Sequence, residues 1–190
     1  MRTRDLILEE ALRLFSEKGI KETTMRDIAR GVGITEGAIY RHFRSKEEIV
    51  RELFETYSGE LYSRIEKAIG RSGSEEERFK GAVRVFLDFA FKHPDAFRYL
   101  NVFHYLRGEE VRKFRRIPFS LLRDLVLELR DKNLLRVDPE YALAMLIGTL
   151  ERVFLYKAMG LLKGRRSEVK DKTAEFLWSA LTGGERHTVR

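Results

Sequence analysis

An all-α fold is what this sequence predicts, on three observations. Apolar residues recur at three- and four-residue intervals in nearly every segment, and no stretch alternates apolar with polar residues as a half-buried strand would. Helix-opening signals precede the periodic runs, at Thr24, Thr35, Ser45, Ser74 and Asp138. Only three of the 190 residues are proline, which leaves room for long helices.

The elements follow in order. Ile7, Ala11, Leu14 and Phe15 share one face of a first helix that Gly19 stops. Thr24 caps a short helix from Met25 to about Gly31, and Thr35 caps another through Phe43. Ser45-Lys46-Glu47-Glu48 is a capping box opening a long helix whose apolar seam is Ile49, Leu53, Tyr57, Leu61 and Ile65. After the loop from Gly70 to Ser74, the box Ser74-Glu75-Glu76-Glu77 opens a helix to about His93, where Pro94 ends it. Another covers Asp95 to Leu106 and closes at Gly108, and a longer one is expected from about Glu110 to Asp131, kinked or split near its start by Pro118. Asp138 caps a helix that begins with Pro139 and runs to Gly160. Ser167 begins the last, which stops before Gly183-Gly184, and Glu185 to Arg190 are expected to fray. There is no internal repeat and no low-complexity segment.

Composition narrows the chemistry. The 37 Lys and Arg outnumber the 30 acids, for a net charge of +7, which favours an acidic partner such as nucleic acid without identifying one. The absence of cysteine excludes disulfides, thiolate metal sites and cysteine nucleophiles. At 35% charged and 43% hydrophobic residues the chain reads as globular, not disordered. No apolar run is long enough for a bilayer and no signal-peptide core opens the chain, so a cytoplasmic protein with no membrane partner is expected. There is no glutamine and only Asn101 and Asn133, a depletion of thermolabile side chains that resembles heat-adapted proteomes and that drift in genome composition would also produce. His93 and His104 would stand about 16 Å apart on one unbroken helix, too far for one metal. Phosphate-binding, hydrolase, zinc-protease and dinucleotide motifs are absent. No catalytic residue, cofactor or metal is expected.

The informative stretch is Met25 to Phe43. Two short helices crossing steeply need a small residue where backbones touch, at Ala29, and a turn residue tolerant of positive φ, at Gly33. Ile28, Val32, Ile34 and Ile39 supply the apolar lock. Together they describe a helix-turn-helix. With Glu36 at zero on the second helix, Ile39 and Phe43 fall near about 300° and 340°, the buried side, and Arg41 falls near about 140°, with Gly37 and Ala38 to either side. Tyr40 and His42 lie on the flanks. A basic side chain among small neighbours faces outward as a base reader would, with polar aromatic groups at the height of the phosphate walls.

Thr23 to Ala29, Gly33, Gly37 to Phe43 and Ser45-Lys46-Glu47 resemble the DNA-binding domain of the TetR (tetracycline-repressor-like) family, over roughly residues 5 to 50. The resemblance implies a helix-turn-helix domain at residues 1–46 and a ligand-binding and dimerisation domain at 47–190, joined through the long fourth helix. It implies phosphate contacts from Thr24, Tyr40, His42 and Lys46, with Thr35 also at the DNA, and base contacts from Gly37, Ala38 and Arg41. Glu36 would accept from a cytosine amine or complement the helix dipole. For Tyr40 the other reading is packing beneath the first helix.

In the remaining chain the resemblance implies a cavity for a small, largely apolar ligand. Its candidate lining is Phe86, Phe89, Tyr99, Phe103, Phe114, Met145, Thr149 and Arg152, each of the aromatics also being explicable as core. Glu151 and Arg152 would be paired, solvated or aimed into that cavity, and Gly148 marks a close helix approach or empty space. The helices from Tyr141 to Gly160 and from Ser167 to Leu181 carry more apolar surface than one body needs, which fits a homodimer interface; Trp178 would alternatively cap the monomer core. The function implied is a homodimeric transcription regulator, a repressor released by ligand from a palindromic double-stranded DNA operator. A helical carrier or enzyme with a vestigial helix-turn-helix, and a sequence-independent DNA-compacting protein, are the alternatives.

Overall fold

In the computed structural model, residues 2–106, 108–111 and 114–183 are described, and their regular structure is helical throughout. The helices are α1 (Thr3–Lys18), α2 (Met25–Val32), α3 (Glu36–Tyr40), α4 (Lys46–Ile69), α5 (Glu75–Lys92), α6 (Pro94–Leu106), α7 (Gly108–Val111), α8 (Pro118–Asp131), α9 (Pro139–Ala158) and α10 (Arg166–Thr182). The fraying expected of Glu185 to Arg190 and the side chain of His104 lie outside the described residues.

Pro118 splits its helix, one of the two outcomes expected, and two other signals act differently, each for a local reason. The helix drawn from Glu110 to Asp131 is split: α7 is a single turn, and Pro118 opens α8 at its first position. Proline disfavours helical backbone just before it, so residues 114–117 leave the helix. α3 stops at Tyr40 because the His42 amide bonds back to the Ile39 carbonyl at 2.8 Å, tightening a turn that lets Phe43 bury itself. Asp138 makes no side-chain cap bond; the fixed φ of Pro139 opens α9 without one. The Ser74 box forms in full, whereas Glu48 reaches past Ser45 to the Arg44 amide at 2.6 Å.

The helices pack as two compact units. One unit comprises residues 1–60 and 93–116, the other residues 61–92 and 117–190, so α4 contributes to both. In the first, α1 packs against α2 and α6. Ile7, Ala11 and Phe15 are wholly buried there, and the Phe15 ring stacks on Tyr99 of α6 at 6.0 Å. Phe54 of α4 stacks on Phe103 at 4.3 Å, which adds α4 to the same core. This arrangement explains why α6, distant in sequence, belongs with the helix-turn-helix: without it α1 would leave an aromatic face in water.

In the second unit α5 is central, touching α8, α9 and α10. It runs antiparallel to α10, as the pairs Phe79 with Trp178, Lys80 with Glu175, Arg84 with Asp171 and Asp88 with Lys170 show. Trp178 is half-buried against Phe79 at 5.7 Å, within the monomer. Arg78 grips Glu128 of α8 with two bonds of 2.7 and 2.9 Å. No described helix is long and apolar enough to cross a membrane.

Candidate nucleic-acid interface

The helix-turn-helix is built from local signals. The Thr24 hydroxyl accepts from the Asp27 amide at 3.1 Å while the Asp27 carboxylate accepts from the Thr24 amide at 3.0 Å and hydroxyl at 2.7 Å. Those bonds hold the Asp27 carboxyl below its ordinary range. Both Thr24 donors are thus engaged by Asp27. Gly33 takes the left-handed backbone, φ 76°, and the chain turns back with Ile34 donating to the Ala29 carbonyl at 3.0 Å. Ile28 and Ile39 are wholly buried and Ala29 nearly so. Sequence reasoning missed Gly31: a Cβ there would lie 1.9 Å from Glu10 Oε1, so the Glu10 side chain of α1 lies against it. Its only signal was a glycine inside a helical pattern.

With Ile39 and Phe43 buried, the opposite side of α3 faces out. Glu36, Gly37, Tyr40, Arg41 and His42 are exposed and Ala38 is half-buried. Among the described residues, the side chains of Glu36, Tyr40, Arg41 and His42 have no polar or ionic partner. Tyr40 is 50% exposed, which sets aside packing beneath α1. No atom stands within 4 Å of a Cβ built on Gly37, so the outward centre of the helix is open. Thr35 caps α3 by accepting from the Ala38 amide at 3.2 Å, which leaves its hydroxyl proton free to donate. Behind the face, the Arg4 guanidinium lies over the Phe43 ring at 4.7 Å and pairs with Glu52, clamping α1, α3 and α4.

Lys46 behaves differently from the free phosphate ligand expected. Its ammonium donates to the carbonyls of Ile20 and Thr23, both at 2.8 Å, and so ties the α1–α2 connection to the start of α4. A longer contact of 3.5 Å to the Lys21 carbonyl takes the third donor, and the positive charge remains.

The residues expected to line a ligand cavity are divided between the two units. Phe86 and Phe89 are buried on α5 in the second unit. Tyr99 and Phe103 are buried in the first, and half-buried Phe114 packs on Phe54 at 4.5 Å. Phe114 alone of the eight lines the open cavity of about 330 Å³ formed with Phe54, Glu55, Ser58, Arg115 and Arg116. Met145, Thr149 and Arg152 instead line an open groove of about 510 Å³ on α9, beside Gly148 and Tyr156. The reason is helical phase: α9 buries Ala142, Leu146, Leu150 and Phe154, which turns Met145 and Arg152 outward. Arg152 stacks over Tyr156 at 5.8 Å, and Gly148 opens on empty space. Tyr141, Met159, Leu161 and Phe176 are each at least 59% exposed, so α9, its following loop and α10 present a wide apolar surface. No group of His, Asp or Glu suited to a metal occurs among the described residues.

Comparison with known proteins bears on this geometry. Residues 7–53 match the family model of bacterial regulatory proteins of the tetR family. The chain is similar to the HTH-type transcriptional repressor KstR2 of Mycobacterium tuberculosis, 41% identical over 75 residues, or 40% of this chain and 38% of that protein. It is also 34% identical over 124 residues to the nucleoid occlusion factor SlmA of Mannheimia succiniciproducens, covering 65% of this chain and 56% of that one. These matches span well under two thirds of the relatives' lengths. Among solved structures, a TetR family transcription regulator from Marinobacter aquaeolei superposes with a TM-score of 0.79 at 18% identity, over 94% of this chain and 95% of that one. The ketosteroid regulator KstR2 of Mycobacterium tuberculosis gives 0.75 at 22% identity over 95% of both. The fold is thus shared along nearly the whole chain, whereas the family model matches residues 7–53.

Proposed function

We propose that this chain, whose residues 7–53 match the tetR family of bacterial regulatory proteins, is a homodimeric transcriptional repressor that reads a palindromic operator and leaves it when a small molecule binds its helical body. The observation that carries this reading is the outward side of α3: an exposed arginine beside glycine and alanine, flanked by Tyr40 and His42, all without partners among the described residues. In a major groove, Arg41 would reach base edges with Gly37 and Ala38 allowing close approach. Tyr40, His42 and the Thr35 hydroxyl would bond phosphates, Lys46 would add charge, and Glu36 would stand near the bases.

Two such helices must lie about 34–36 Å apart, or a multiple of it, to enter successive grooves. A second copy seated on the exposed face of α9 and α10 supplies the symmetry, and its burial would cover Met145, Tyr156 and Phe176. Repression is supported by the likeness to KstR2, named a transcriptional repressor. The test is a gel-shift titration on the protein's own upstream DNA with competitor DNA. A shift that survives nonspecific competitor supports the reading. No shift would favour a carrier or enzyme, and equal loss to any competitor would favour a DNA-compacting protein.

A further inference from the structure

The cavity beside α4 in the first unit has a floor and rim of contrasting chemistry. Phe54 and Phe114 line it, and Phe54 rests in turn on Phe103 at 4.3 Å, so one wall is an aromatic stack. At the mouth are Arg115, Arg116 and Glu55, all exposed, and none has a side-chain partner among the described residues. Ser58, only 1% exposed, donates its hydroxyl to the Arg116 carbonyl at 2.7 Å. That bond pins the segment after α7 to α4 and holds the two guanidinium groups at the rim. Arg13 of α1, half-buried Arg84 of α5 and Arg123 of α8 are paired, with Glu10 and Glu17, Asp171, and Asp124 respectively. Arg115 and Arg116 are instead two adjacent unpaired arginines beside an aromatic wall.

We propose that this cavity binds an amphipathic monoanion: a flat or chain-like apolar body against Phe54 and Phe114, and a carboxylate, sulfonate or phosphodiester group at Arg115 and Arg116. The volume, about 330 Å³, suits a small ligand or one end of a longer one. Guanidinium is the side chain whose planar donors match oxyanions best. Glu55 sets the charge. Two cations and one carboxylate leave a rim of +1, which one negative charge neutralises and a second overcharges. Glu55 and the arginines therefore act on affinity with opposite signs. This inference rests on the ligand-released reading above and gives its ligand a chemical class.

The test uses fluorescence titration of the full chain with two dyes of similar apolar body, anionic anilinonaphthalene sulfonate and neutral phenylnaphthylamine. Arg115→Ala/Arg116→Ala is expected to weaken the anionic dye by roughly tenfold and leave the neutral one unchanged. Glu55→Gln is expected to tighten the anionic dye by a few-fold. Thermal melts of each variant establish that the fold is intact, and Arg115→Lys/Arg116→Lys is expected to retain most of the affinity. Equal weakening of both dyes, weaker anion binding in Glu55→Gln, or a dye signal lost in Met145→Glu but indifferent to the arginines would overturn the site. A second arm repeats the operator gel shift with the anionic dye saturating. If the arginines govern dye binding while operator affinity does not change, the anion site stands and the release mechanism falls.

Discussion

The Tyr99 hydroxyl donates a 2.5 Å hydrogen bond to the Val50 carbonyl, from a ring that also stacks on Phe15. Three helices, α1, α4 and α6, therefore meet on one wholly buried side chain. α1 carries the helix-turn-helix and α4 begins beside it, so any displacement of α6 must move both or break this bond. A ligand that favours the displaced arrangement would shift the population away from DNA binding by its differential affinity alone.

Tyr99→Phe removes the hydroxyl and keeps the ring. The Val50 carbonyl retains its partner within α4, so no acceptor is left bare, and the expected loss is about 0.5–1.5 kcal/mol in chemical denaturation. An unchanged midpoint and slope would show that the bond holds nothing together.

Arg41→Ala is expected to cost about 1–3 kcal/mol of operator affinity and to relax preference at one base pair in each half-site. Selection from a randomised operator library reads this directly. A specificity profile identical to wild type would remove Arg41 from the base-reading group.

Lys46→Ala is expected to act twice. Loss of its bonds to the Ile20 and Thr23 carbonyls lowers the melting temperature, and loss of its charge weakens binding alike for all DNA sequences while reducing the salt slope by about one unit. A normal melt with a changed salt slope would show that the two carbonyl bonds carry no stability.

Met145→Glu places a charge on the exposed face of α9 without touching its buried face. The expected result in sedimentation velocity is a shift from dimer to monomer, with operator affinity falling in step. A variant that remained dimeric with unchanged operator affinity would move the interface elsewhere.

Glu128 gives a prediction for acid. Its carboxyl is held below the ordinary 4.5 chiefly by the Arg78 guanidinium and then by Lys132. A depressed carboxylate contributes stability that is fully present above its unfolded pKa and is lost as pH falls through the folded one. Stability should therefore decline below about pH 4.5 less steeply in Glu128→Gln than in wild type. Parallel acid limbs in thermal melts would contradict that assignment.

Much of this was legible because its signals are local. Thr24 with Asp27, Ser74 with Glu77 and Gly33 each act within four or five residues, so sequence spacing reveals them. The exposed side of α3 was legible too, since burial of Ile39 and Phe43 leaves Arg41 outward. What escaped depends on distant chain. The Lys46 ammonium is occupied because the loop 20–23 comes to it, and Tyr99 finds Val50 across 49 residues. Helix α9 is apolar on two sides, so periodicity alone does not say which side faces the core or where Met145, Thr149 and Arg152 point. The break before Pro118 was visible, yet the rim arginines it frees at 115 and 116 drew no attention, because charge in a helical stretch reads as a solvated face.

The first unit is assembled from two separated stretches of chain, residues 1–60 and 93–116. That limits how such a protein can be recombined. A cassette ending at residue 46 would carry the DNA-reading surface into a new body but leave behind Tyr99, the ring on which Phe15 rests. A hybrid built that way inherits a mismatched seat for α1, and its tolerance depends on what the recipient offers at the position of Tyr99. Transfer of specificity between relatives would succeed most readily when that α6 surface travels with the reading head, even though the two lie far apart in the gene.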